Sequence, residues 1–110
     1  MQIDVIIPVY KPDKRFFELL DMLSKQTVSV NKIILMNTEQ KYWDELVYNN
    51  PKKKIADNVR VWHISKREFD HGRTRRDAVK KSQAEIFVMM TMDAMPKDEF
   101  LLENLITPLE

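Results

Sequence analysis

The fold class predicted from the order of hydrophobic patterns in this 110-residue chain is α/β, an open parallel sheet with helices on both faces. Three observations predict it. Short apolar runs of strand type alternate with stretches whose apolar residues recur at helical spacing. The second of those runs is apolar throughout, as expected of a strand covered on both sides. The length suits one domain with one core, and neither an internal repeat nor a low-complexity tract competes with it.

Ile3 to Val9 (IDVIIPV) is the first strand, closed by Pro8, with Lys11-Pro12 turning the chain. Asp13 can cap the helix that follows, where Phe16, Leu19, Leu20 and Leu23 fall on one face, and the helix is expected to end near Gln26. Ile33 to Met36 is the second strand. Trp43, Leu46 and Val47 mark a short helix before Asn50-Pro51, and Lys52-Lys53-Lys54 reads as a solvated loop. The alternation in Val59 to Ile64 predicts a third strand near a sheet edge. A polar loop then runs to Gly72, followed by a basic helix from Thr74 to about Ala84. Ile86 to Met90 is the fourth strand. Lys97 to Ile106 is the last predicted helix, with Pro96 at its start and Phe100, Leu101 and Leu105 at helical spacing. The order βαβαβαβα requires right-handed crossovers between parallel strands, a Rossmann-like sheet. Its ligand site belongs at the carboxyl ends of the strands, where strand order reverses.

Composition narrows the chemistry. The 18 basic and 17 acidic residues nearly cancel, which argues against nucleic acid as a partner. The absence of cysteine removes disulfides, thiolate zinc sites and a cysteine nucleophile, and suits a cytoplasmic protein. Neither a signal peptide nor an apolar run of the roughly 18 residues needed to cross a bilayer is visible. A single glycine, Gly72, rules out the glycine-rich dinucleotide and Walker loops, so any nucleotide must be held by side chains, metal or ordinary backbone.

Just past the strands stand Pro8-Val9-Tyr10-Lys11, Asn37-Thr38-Glu39 and Thr91-Met92-Asp93-Ala94. Asp93 could offer a hard oxygen to Mg²⁺ or Mn²⁺, with Thr91 orienting a water, or simply cap a turn. Glu39 and Asn37 could pair with a base or ribose. Arg75, near a helix start, could meet a diphosphate, or lie on the surface as an ordinary arginine. His71 could be a base or a solvated loop residue.

Three segments carry a family resemblance: Val5 to Tyr10, Phe69-Asp70-His71-Gly72-Arg73-Thr74-Arg75, and Phe87 to Pro96. With them the chain resembles the N-terminal portion of family 2 glycosyltransferases, most closely their rhamnosyltransferase-like branch. That resemblance implies a truncated GT-A fold and a nucleotide-diphosphate sugar as donor. It implies that Pro8, Val9 and Tyr10 hold the base and ribose through their backbone, with Asn37 and Glu39 beside them. It further implies that Arg75 lies near the diphosphate and that Asp93 is the retained second aspartate of the metal motif, with Mn²⁺ or Mg²⁺ as cofactor. Residues 1–108 would be the donor-binding part, Leu109-Glu110 a tag scar, and the catalytic base would lie past the chain's end. The acceptor would be a glycan or lipid-linked sugar in cell-surface polysaccharide synthesis. The complete enzyme would then work in the cytoplasm, at the inner face of the membrane. Departures from the family pattern are Thr91 for the first aspartate, Lys11 and Arg76 for asparagines, and Asn37 for an aspartate. The other class the residues allow is a non-catalytic α/β nucleotide-binding or regulatory module. Sugar, base, acceptor and oligomeric state stay open.

Overall fold

A computed structural model of the chain describes residues 2–67, 71–82 and 84–106. Its elements are β1 (Ile3–Tyr10), α1 (Arg15–Ser24), β2 (Lys32–Thr38), α2 (Gln40–Asn49), β3 (Val59–Ile64), α3 (His71–Lys81), β4 (Ile86–Met89) and α4 (Leu101–Ile106). All pairings are parallel, in the order β3-β2-β1-β4. The expected fold class is borne out, with β3 at an edge as its mixed pattern predicts.

Two connections step one way across the sheet and the third steps back past β2 and β1, so right-handed crossovers must put α3 on the face opposite α1 and α2. The packing agrees. On one face Val5, Ile7 and Val9 of β1 and Ile33 and Leu35 of β2 meet Phe16, Phe17, Leu19 and Leu23 of α1, Trp43 and Leu46 of α2, and Leu102 of α4. On the other, Ile6, Ile34 and Met36 meet Ala78, with Val79 and Met89 packed alongside. β1 and β2 are buried nearly throughout because helices cover both faces.

Buried polar groups fasten the base of this sheet. Asp4 is fully buried, and its carboxylate accepts from Asn31 Nδ2 at 3.0 Å, Lys32 N at 3.1 Å and Ser82 Oγ at 2.7 Å. It thereby joins the starts of β1 and β2 to the residue that follows α3. Gln26 accepts from Leu102 N at 3.0 Å and donates to the Asp98 carbonyl at 2.9 Å, holding α4 against the end of α1.

The structure corrects several boundaries. Helix α1 ends at Ser24 rather than near Gln26, because Gln26 turns its side chain into those long-range bonds. Asp13 does serve the helix start, accepting from Arg15 N at 2.9 Å. α3 begins at His71, three residues before the expected Thr74, so Gly72 lies in its first turn and not in a loop. The last helix is shorter than expected and begins at Leu101, after turns that follow Pro96. Its buried face is Leu102 and Ile106, while Phe100 and Leu105 are exposed. Val47 likewise faces solvent on α2. Pro8 does not close β1, which runs on to Tyr10. Backbone groups alternate sides along a strand, so position 8 points its nitrogen toward β4, as Ile6 points its carbonyl to Met90 N. β4 has already ended there, alongside Ile6, and a proline costs no ladder bond. Leu109-Glu110 and the Phe69-Asp70 part of the family segment lie outside the described residues. Among the described residues no helix is long and apolar enough to cross a membrane.

Candidate functional site

Strand order reverses between β1 and β4. Since β4 stops beside Ile6, β1 runs four residues past it, roughly 13 Å at about 3.3 Å per residue, and opens a gap at the carboxyl rim. Pro8 and Tyr10 stand on the rim beside this gap, both half-buried. Val9 turns its side chain into the core and pairs its backbone with Asn37, so only the backbone of that residue reaches the rim.

The non-glycine residues with positive φ among those described are Lys11 (φ 50°) and Glu39 (φ 68°), the first residues after β1 and β2. Such conformations cost on the order of 1–3 kcal/mol each and persist where neighbours over-determine them. The neighbours are visible. Lys11 Nζ lies 5.3 Å from the ring centres of both Tyr10 and Tyr42, which meet edge to face at 5.8 Å. Glu39 donates its N–H to the Ile64 carbonyl at 2.7 Å, accepts on its own carbonyl from Asn37 Nδ2 at 3.2 Å, and takes Lys66 N on Oε1. Lys66 Nζ comes within 5.7 Å of the Tyr10 ring centre. The chain's one glycine, by contrast, has no positive φ.

Asn37 is fully buried beneath this turn and stands in register with Val9 and His63. Its Nδ2 is also 3.0 Å from His63 Nδ1. Its Oδ1 is buried with no hydrogen-bond partner among the described residues. Asn37 therefore braces the Glu39 turn from below. The pairing with His63 escaped the sequence reading; its only signal is that both residues stand next to last in adjacent strands.

Arg75 is exposed on α3. It stands a full turn into the helix rather than at its start, so its guanidinium, not the helix N-terminus, is what it brings to an anion. With Ile6, Pro8, Met36, Thr74, Ala78 and Met89 it lines a recess of about 220 Å³ between α3 and the sheet, beside the β1–β4 gap. Asp93 is exposed in a turn after β4, where Ala94 N donates to the Thr91 carbonyl at 3.1 Å. Among the described residues no group of three or more His, Cys, Asp or Glu is placed to hold a metal ion.

The class defined by this fold is a Rossmann-like α/β unit whose parallel sheet opens a gap at its switch point. Within that class the chain is 32% identical over 107 residues to the O-antigen chain rhamnosyltransferase RfbN of Salmonella typhimurium, across 96% of the chain and 32% of that protein. Its fold matches S. aureus TarS 1-349 with a TM-score of 0.64 at 23% identity, over 96% of this chain and 31% of that one. TarS 1-349 in complex with UDP-GlcNAc matches equally, TM-score 0.64 and 23% identity, over 96% and 30% of the two chains. No family model matches the chain. The expected resemblance to glycosyltransferases is borne out, with a rhamnosyltransferase as relative. The chain spans about a third of the length of the proteins it matches.

Proposed function

We propose that this chain is the donor-binding part of an inverting glycosyltransferase that moves a sugar from a nucleotide diphosphate to a glycan or lipid-linked acceptor in cell-surface polysaccharide synthesis. One observation carries the reading: a chain alike over 96% of its length to a rhamnosyltransferase also folds so that Tyr10 ends β1 while Glu39 and Asp93 come after β2 and β4, with Arg75 lining the recess between α3 and the sheet. The base and ribose lie against Tyr10 and the Pro8–Tyr10 backbone, with the turn held by Asn37 and Glu39. Arg75 meets the diphosphate with a planar fork of donors, placing fixed positive charge where the leaving group gains negative charge. Asp93 would hold Mn²⁺ or Mg²⁺, and that ion would supply Lewis-acid stabilisation of the departing phosphate oxygens. The acceptor and its base belong to the remainder of a longer enzyme working in the cytoplasm at the inner membrane face.

The test is a thermal-shift panel of uridine, thymidine and guanosine diphosphates with and without Mn²⁺, since a ligand that binds only the folded state raises the Tm. At least one diphosphate is expected to stabilise the chain, more so with Mn²⁺. Asp93→Ala should remove most of the metal-dependent increment while leaving the metal-free shift. Equal increments in parent and variant would take Asp93 out of the site, and no shift with any diphosphate would end the donor-binding reading.

A further inference from the structure

We propose that the shoulder formed by α3 and the edge strand β3 is a docking surface for an anionic lipid bilayer, with Trp62 entering the headgroup layer and Arg73, Arg76, Lys80 and Lys81 meeting lipid phosphates. The 18 basic and 17 acidic residues of the chain nearly cancel, yet α3 carries Arg73, Arg75, Arg76, Lys80 and Lys81 against one carboxylate, Asp77. Thr74 and Ala78 are buried toward the sheet, so at about 3.6 residues per turn Arg76 and Lys80 point away from it. Arg73 lies 4.0 Å from Asp77, but both side chains are exposed and the basic excess of the helix stands at the surface.

The second feature is apolar. α3 packs over β1 and β2 and leaves Arg60 and Trp62, in register with Ile34 and Met36 on that face of the sheet, exposed. Trp62 is 44% exposed, and Lys81 Nζ lies 4.0 Å from its ring centre. An open indole beside an ammonium group matches the level at which bilayers take up tryptophan, between hydrocarbon and phosphate. Charge alone would suit any polyanion. The indole selects a partner that is apolar just beneath its phosphates, which a bilayer is and a nucleic-acid duplex is not. Each Lys or Arg held at an anionic leaflet strengthens binding about fivefold, and the attraction fades within a Debye length of about 10 Å, so added salt weakens it. The shoulder is separate from the donor site, because Arg75 lies on the flank of α3 that lines the recess with Met89 of β4, away from Trp62 of β3. The inference goes beyond the donor-binding reading and gives the membrane-face placement proposed above a surface.

The experiment uses the whole 110-residue chain with vesicles of phosphatidylcholine alone or mixed with phosphatidylglycerol. Of the chain's two tryptophans Trp43 is 7% exposed in the core, so Trp62 is the one that can report lipid. Mixed vesicles are expected to sediment the chain and shift Trp62 emission to the blue, and lipid carrying an acyl-chain nitroxide should quench it; neutral vesicles should do none of these. Arg76→Gln with Lys80→Gln should weaken binding about 25-fold, the product of two charges at the leaflet. Lys53→Gln with Lys54→Gln makes the same charge change on the α1 face and should leave binding within about twofold. Urea melts verify that each variant is folded. Absence of binding to mixed vesicles, equal binding to both kinds, or equal losses in the two double variants would overturn the proposal. So would bound chain whose Trp62 is not quenched, or an RNA duplex bound as tightly as the mixed vesicles. Each of those results leaves the donor site standing, because diphosphate binding is read separately in the thermal-shift panel.

Discussion

Replacing Asp4 tests whether the buried carboxylate at the base of the sheet holds α3, and through it Arg75, in place. Asp4→Ala removes the acceptor of three hydrogen bonds, from Asn31, Lys32 and Ser82. Hydrogen bonds to a charged group contribute about 1.5–3 kcal/mol each. The three donors are half-buried and recover some water when abandoned, so the lower end applies and the loss is about 3–5 kcal/mol. A 110-residue domain has roughly 5–15 kcal/mol in all, so this variant should be marginal. Asp4→Asn keeps an oxygen for Asn31 and Lys32 and offers its amide to the Ser82 hydroxyl, which can rotate to accept, so about 1–2 kcal/mol is expected. Urea unfolding followed by fluorescence reads the effect, because Trp43 is 7% exposed in the main core. With a slope of about 1–3 kcal/mol/M the alanine variant should lose on the order of 2 M in midpoint. An alanine variant within about 1 kcal/mol of the parent would refute the reasoning, and so would an asparagine variant as unstable as alanine.

Arg75→Ala should weaken nucleoside diphosphate binding about tenfold in calorimetry with little change for the free nucleoside, because a charge-assisted contact engages phosphate; equal losses for both would make Arg75 a fold-supporting residue. Glu39→Gly should be more stable than Glu39→Ala by about 1 kcal/mol in urea unfolding, since both lose the bond from Lys66 N but only alanine retains the cost of positive φ. Gln26→Ala leaves Leu102 N and the Asp98 carbonyl without their partner and should cost about 2 kcal/mol, with faster amide exchange across α4 as the accompanying signature.

Much of the sheet was legible because its signals are local and redundant. Ile33 to Met36 is apolar on both sides of the pleat, which only a strand between two helix layers requires, and β2 lies there. The mixed run Val59 to Ile64 announced an edge for the same reason. The helices that were misread depend on partners distant in sequence. Gln26 could continue α1 by propensity, but α4 competes for its side chain across 76 residues. In the last helix, Phe100 and Leu105 match helical spacing as well as Leu102 and Ile106 do. Which stripe faces inward is decided by how the chain arrives from the turns after Pro96, and periodicity does not carry that information.

The candidate site divides along the same line. The candidates at strand ends, Tyr10, Asn37, Glu39 and Asp93, could be named because strand ends in a parallel sheet converge whatever the intervening helices do. Arg75 was named from its place near an expected helix start, and its position a turn into α3 leaves its guanidinium without the help of the helix-end amides. The bracing of the rim was invisible. His63 against Asn37, and Lys11 near two tyrosine rings, need both the register of β2 with β3 and backbone angles that no residue pattern announces. Positive φ at a lysine and a glutamate runs against the expectation that a glycine marks such turns, and the chain spends its one glycine inside α3 instead. The strain sits at the two turns that border the Tyr10 rim, held by a tyrosine pair on one side and by Asn37 and Lys66 on the other. A rim so braced holds its shape before any ligand arrives, which would lower the ordering cost for the nucleotide proposed to bind there.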